Sequence, residues 1–191
     1  MFKVPVKINS LLRDFSAQWG VAGGWAIDLF LGKETRKHKD IEVAILRRDQ
    51  LKIKEELIPD WRFEYIHRSK SFDWSERIYL EKPIHEIYAV NETHLPERLE
   101  VLLNEHASKY WVFRRNNSIK LPISEIFLDT PQGIPILHPK IVLLYKVKIN
   151  EPKDLRDLIN VAPVLNKTDK FWLYNAIWTT YGRHDWLRYL V

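Results

Sequence analysis

Apolar residues at positions 11, 12, 15 and 19 of "NSLLRDFSAQW" recur with the spacing of one helix face, which predicts a helix over residues 9–19 with Asn9 or Ser10 as its N-cap. "GVAG" reads as a short buried strand running into a turn, and "GWAIDLFLG" as a helix that ends at Gly32. "KETRKHK" is a polar loop. "DIEVAILRR" alternates and is rich in β-branched residues, so it predicts a strand. Asp49 then caps a helix, "QLKIKEELI", which Pro59 stops. "WRFEYIHR" is the next strand, and "SERIYLEK" with "HEIYAV" forms either a strand pair or an inserted excursion. "ERLEVLLNEH" is a strand with one buried face. "YWVFRRNNSIKLPI" and "EIFLDTPQGIPIL" read as hairpins turning at Asn116-Asn117 and at "TPQG". From His138 onward the period changes to three consecutive helices, with Pro139 and Pro152 in first-turn positions. The pattern predicts an α/β (α+β) region over residues 1–135 followed by a small helical bundle over residues 136–191.

Composition narrows what such a chain does. Of 191 residues, 46% are hydrophobic and 29% charged, enough apolar content for a core. Eight each of Trp, Tyr and Phe supply large core residues, with one or two left over to line a ring-binding pocket. The chain has no cysteine, which excludes disulfides, thiolate metal sites and a cysteine nucleophile. The N-terminus lacks a signal-peptide pattern, and no apolar run approaches the roughly 20 residues of a membrane span. A cytoplasmic protein without a membrane partner is expected. The formal charge of +5 favours anionic partners. It is spread along the chain, with no nucleic-acid-binding signature, so a phosphorylated small molecule is a better match than nucleic acid.

The candidate chemistry sits in "GGWAIDLFLGKETRKHKDIEVAI", residues 23–45. Residues i and i+2 of a strand project from one face, so Asp40 and Glu42 point together while Ile41 and Val43 pack behind them. Adjacent carboxylates repel unless a positive charge lies between them. Mg²⁺ suits such a pair, because it prefers oxygen ligands and keeps positions open for phosphate oxygens. A third carboxylate from a neighbouring strand completes a two-metal site, and Glu100 in "ERLEVLLNEH" is the candidate, with Glu105 on the opposite face. Gly23 and Gly24 stand between a strand and a helix, where backbone N–H groups can cradle phosphate. Arg36 is placed to contact a triphosphate. His38 either does the same or orders the loop.

These residues resemble the nucleotidyltransferases of the DNA polymerase β superfamily, and within it the group of aminoglycoside 2''-adenylyltransferase and the lincosamide nucleotidyltransferases. The shared pattern is GGW, a helix, T-R-x-H-x-D and a D-x-D/E strand, here Gly23, Gly24, Trp25, Thr35, Arg36, His38, Asp40 and Glu42. "LHPKIVLLYKVK" and "PKDLRDL" resemble the same group. The resemblance implies a mixed β-sheet flanked by helices with a C-terminal helical bundle. It implies transfer of a nucleoside monophosphate, AMP first, from an NTP to an acceptor hydroxyl. Asp40 and Glu42 would hold Mg²⁺, Glu100 would complete the metal site or act as base, and Lys146 would reach the triphosphate. Lys153, Asp154 and Asp157 read as capping and charging a helix N-terminus. Trp25 replaces the superfamily's commoner serine, and Glu42 its commoner aspartate.

The reading that follows is a Mg²⁺-dependent transferase acting on a small hydroxyl acceptor of aminoglycoside or lincosamide type, as monomer or homodimer. The alternatives are a fold relative that modifies a macromolecule, as toxin–antitoxin members do, and a catalytically decayed binding protein. An aminoglycoside is a polycation and needs an acidic pocket, for which Glu97, Glu100, Glu105, Glu125 and Asp129 are available. A lincosamide, with one amine and an apolar flank, suits the aromatic content.

Overall fold

The computed structural model describes residues 1–93 and 96–191. Helix α1 spans Lys3–Leu11, strand β1 Trp19–Val21, helix α2 Gly23–Leu31 and strand β2 Glu42–Leu46. Helix α3 (Gln50–Leu57) leads to strands β3 (Arg62–His67), β4 (Lys70–Asp73) and β5 (Glu86–Val90). The long strand β6 (Arg98–Ala107) is followed by the short β7 (Tyr110–Val112), β8 (Lys120–Pro122), β9 (Phe127–Asp129) and β10 (Pro135–Leu137). Helices α4 (Pro139–Lys146), α5 (Pro152–Val161) and α6 (Lys167–Tyr181) complete the chain.

The strands form a mixed sheet in the order β4-β3-β5-β6-β2-β1-β10-β9, with β7 and β8 continuing from the far end of β6. The β2–β6 and β1–β10 pairs are parallel and the others antiparallel. Strand β2 is central and apolar after its first residue, so Val43 to Leu46 are buried on both faces. Helix α2 is apolar nearly all round because it is covered twice, by the sheet and by α4 and α5. Gly32 ends it in the left-handed conformation, accepting no side-chain penalty there.

Three expectations change. The first helix covers residues 3–11, not 9–19. Pro5, Ile8 and Leu12 supply the buried stripe, and Pro5 lies in the first turn, where its missing N–H is not needed. Phe15 and Trp19 belong to the following loop and to β1, and Asn9 donates to the Gly133 carbonyl rather than capping a helix. Asp49 occupies the N-cap position of α3 without a side-chain cap bond; its carboxylate pairs with Lys52 at 2.9 Å.

"SERIYLEK" is an excursion, not a strand. Its backbone is satisfied by side chains of the preceding turn and helix. Lys54 donates to the carbonyls of Trp74, Ser75 (3.0 Å) and Glu76 (2.7 Å). Gln50 accepts from Leu80 N–H at 2.7 Å and Arg47 donates to its carbonyl at 2.9 Å. Burial lowers the Lys54 pKa, against the opposing pull of Asp73 and Glu76. The excursion seats Trp74 and Leu80 in the core and delivers the chain to His85 and β5.

Arg47 also ties β2 to β6 through its guanidinium, with Nε 3.0 Å and Nη2 2.5 Å from the Glu105 carboxylate, both side chains buried. Replacing Arg47 with Met leaves that carboxylate buried without its main partner. We expect a loss of about 3 kcal/mol in urea unfolding, with Arg47→Met, Glu105→Leu recovering part of it.

Candidate functional site

The turn after β1 is shaped by what lies above it. Gly23 has φ 58°, and a Cβ there would fall 1.4 Å from the Glu42 carboxylate. A Cβ on Gly24 would meet the Arg36 guanidinium at 2.2 Å and the His38 ring at 2.5 Å. The glycine pair therefore makes room for three functional side chains at once, pressed onto the start of α2.

The loop of residues 33–40 is anchored from beneath. Asp28, buried in α2, accepts from Thr35 and bonds His38 Nε2 at 2.6 Å. Burial raises the Asp28 pKa, but the bonds from His38 and Thr35 outweigh it and leave the carboxyl below its usual value. The His38 ring lies 4.3 Å from that of Trp25, whose indole N–H donates to the Asp40 carbonyl at 3.1 Å. Trp25 thus holds the segment that carries Asp40. In this arrangement His38 orders the loop, although it also faces the cavity.

Strand register gathers the carboxylates. Glu42 on β2 is paired with Glu100 on β6, and Glu100 is in turn opposite Tyr88 on β5. Glu86 and Leu102 are the next pair on that face. Asp40 lies two residues before Glu42, just ahead of the strand rather than within it. Burial, then Glu100 and Asp40, push the Glu42 carboxyl up to about 7, with Lys146 opposing them. Burial, Asp40 and Glu86 likewise raise Glu100, with Arg98 opposing. Burial and the same two glutamates, Glu100 and Glu86, push the Tyr88 phenol to about 12. Among the described residues no three carboxylates or imidazoles are already gathered into an ion site.

A cavity of about 530 Å³ opens over this face. Gly23, Gly24, Asp40 and Glu42 line it, together with Arg36, whose guanidinium lies over Gly24, and Lys146 and Lys153 from the C-terminal helices. Lys146 Nζ is 2.7 Å from Asp154 and 3.0 Å from Asp157 on α5, and Arg36 donates twice to Asp157 at 3.4 Å. Asp154 does cap α5, as expected, through a reciprocal box with Glu151. Asp157 has no cap role and is spent on the two cations. Glu100 lies beside Glu42 but outside the cavity lining.

Sequence reasoning missed Glu86, Arg114 and Tyr145, which complete the walls. Glu86 is bonded by His85 at 3.3 Å and by Tyr88 at 3.2 Å, and the His85 bond is the largest influence holding its carboxyl low, against burial. Its signal was the alternation in "HEIYAV", which placed it on the face of Tyr88. The acidic pocket expected from Glu97, Glu100, Glu105, Glu125 and Asp129 is not formed: none of them lines the cavity, and Glu105 is committed to Arg47. Glu100 and Glu105 lie on the interior strand β6, Glu97 just before it, and Asp129 on the edge strand β9.

The same sheet and helices occur in solved proteins. The structure superposes on the lincomycin-bound lincosamide antibiotic adenylyltransferase LnuA with TM-score 0.60 and 16% identity, over 86% of this chain and 98% of that one. It superposes on ANT(2'')-Ia in complex with adenylyl-2''-tobramycin with TM-score 0.56 and 14% identity, over 92% and 97%. A nucleotidyltransferase-like protein from Paracoccidioides brasiliensis matches with TM-score 0.51 and 14% identity, over 92% and 84%. The chain has the nucleotidyltransferase fold. The family model for aminoglycoside-2''-adenylyltransferase matches residues 5–67, the third of the chain that carries the GGW turn and the Asp40–Glu42 pair. None of the curated proteins compared with the chain matches it. Among the described residues of this nucleotidyltransferase fold, no helix is long and apolar enough to cross a membrane.

The crowding at Glu42 has a sign. Its carboxyl binds a proton more tightly in the folded chain than in the unfolded one, so stability falls as pH rises from about 4.5 through about 7. The side chain opens onto the cavity, so the loss is at most about 3 kcal/mol. We expect urea unfolding without divalent cations to show this fall and Glu42→Gln to abolish it. A pH-independent difference between the two proteins would count against the arrangement.

Proposed function

We propose that the chain transfers a nucleoside monophosphate, AMP first, from an NTP to a hydroxyl of a small molecule of the aminoglycoside or lincosamide class. The observation that carries this reading is the meeting, in one cavity, of a glycine turn, two cations anchored by aspartates of α5 and a row of carboxylates. LnuA was solved with lincomycin bound and ANT(2'')-Ia with adenylyl-2''-tobramycin, and their fold is shared.

The donor set suits Mg²⁺. Asp40, Glu42 and Glu100 offer hard oxygen ligands; burial first, and then the repulsion of neighbouring carboxylates, raises the Glu42 and Glu100 carboxyls. A divalent ion would relieve that repulsion, with the carboxylates gathering on it by side-chain rotation. Bound there, two such ions would polarise the transferring phosphoryl group and the acceptor oxygen. The chain's own residues supply the rest. The Glu42 carboxylate lies against Gly23, and the Arg36 guanidinium and the His38 ring lie over Gly24, at the start of α2. From there Arg36, with Lys146, would counter the triphosphate charge. Glu100, whose carboxyl is raised and which stands beside Glu42, is suited to take the proton from the acceptor hydroxyl or to share the metal.

The reading is tested by calorimetry with ATP, GTP, CTP and UTP in the presence and absence of Mg²⁺, followed by an acceptor screen with aminoglycosides and lincosamides. We expect Mg²⁺-dependent binding and turnover in the wild type. Asp40→Asn should keep the wild-type melting temperature and lose turnover by roughly two to three orders of magnitude. Full activity in Asp40→Asn would end the carboxylate mechanism.

A further inference from the structure

The two cations facing the glycine turn belong to different parts of the chain. Arg36 comes from the loop after α2 and Lys146 from the last turn of α4. Neither element is fixed to the other by backbone pairing. What joins them is a single side chain on a third element. Asp157 of α5 accepts from Arg36 Nε and Nη2 through its two oxygens, each at 3.4 Å, and one of those oxygens also lies 3.0 Å from Lys146 Nζ. Its side chain is 2% exposed, against 22% for Arg36 and 14% for Lys146. The carboxylate is therefore the buried end of the network and the cations are the ends that reach the cavity.

Asp154, one helical turn earlier on the same face of α5, takes a second Lys146 bond at 2.7 Å. Lys146 is thus held by a hydrogen bond to Asp154 and an ion pair with Asp157, which restricts where its remaining N–H groups point. The Arg36 guanidinium is likewise anchored along its Nε–Nη2 edge, and Nη2 is the atom that lies over Gly24. A long, flexible Lys and Arg would otherwise lose considerable side-chain entropy on meeting a phosphate. With both held in advance by buried carboxylates, that cost is met when the protein folds.

We propose that Asp157, assisted by Asp154, is a positioning residue for nucleotide binding, which holds Arg36 and Lys146 at the separation and orientation that the triphosphate needs. The inference rests on the nucleotidyl-transfer reading and goes beyond it. It assigns the aspartates of "PKDLRDL" to holding the cations of the nucleotide site, in addition to any part in starting a helix. Asp157 touches no substrate. It acts through the two cations, so its loss is felt as affinity.

The test is a calorimetric titration of Mg²⁺-ATP (or whichever NTP the wild type binds) into wild type, Asp157→Asn and Asp154→Asn, with a melting curve on each. Positioning predicts that the dissociation constant rises about tenfold or more in Asp157→Asn while the binding stoichiometry stays at the wild-type value. Asp154→Asn leaves Asp157 bridging both cations, so its dissociation constant rises by a smaller factor. A purely structural role predicts the reverse split: fewer competent molecules, seen as reduced stoichiometry, each binding with wild-type affinity. That result, or wild-type affinity in both variants, overturns the inference. If Asp157→Asn does not fold, Asp154→Asn alone decides, and wild-type affinity there overturns it. Failure of the wild type to bind any NTP removes the underlying reading, and this inference with it.

Discussion

Two carboxylates held side by side across a parallel pair of strands are the feature around which this molecule is arranged. The pairing of β2 with β6 sets Glu42 against Glu100, and β5 adds Glu86 to the same face. Opposed like charges weaken a sheet. The cost is accepted at its centre, where Val43 to Leu46, the rest of β2, are fully buried. Much of the surrounding architecture answers to that row of charge. Gly23 has no side chain because the Glu42 carboxylate occupies its place, and Lys146 is the cation that most directly opposes it.

The positive wall is built by a different method. Loop 33–40 is clamped from inside α2 by Asp28 through Thr35 and His38, and from α5 by Asp157 through Arg36. Each clamp uses a buried carboxylate to hold a side chain of the loop in place. The C-terminal helices are thus tied to the N-terminal loop by charge as well as by the apolar contacts of α4 and α5 with α2.

Much of this was legible in the sequence where local chemistry and tertiary structure agree. The glycine turn, the helix ending at Gly32, the β2 strand and the two hairpins follow from spacing and turn residues that the fold then keeps. Legibility failed where the backbone is satisfied by distant side chains. Residues 74–82 carry strand-like residues, yet Lys54, Gln50 and Arg47 take their hydrogen bonds, and no pattern within the segment announces that. The first helix was displaced because Pro5 reads as a breaker unless it is already known to lie in a first turn. At the site, strand alternation put Asp40 with Glu42 and made Glu100 the candidate third carboxylate, but Asp157 was read as part of a helix start, since sequence spacing does not show that α5 faces residue 36.

The excursion between β4 and β5 has a consequence of its own. Its shape is kept by three polar side chains reaching out from residues 47–54, so it has few independent means of staying folded once they let go. A stretch held in this way would open as a unit. It ends at His85, which bonds Glu86 at the rim of the cavity. The approach to that rim is therefore held by Arg47, Gln50 and Lys54, none of which lines the cavity.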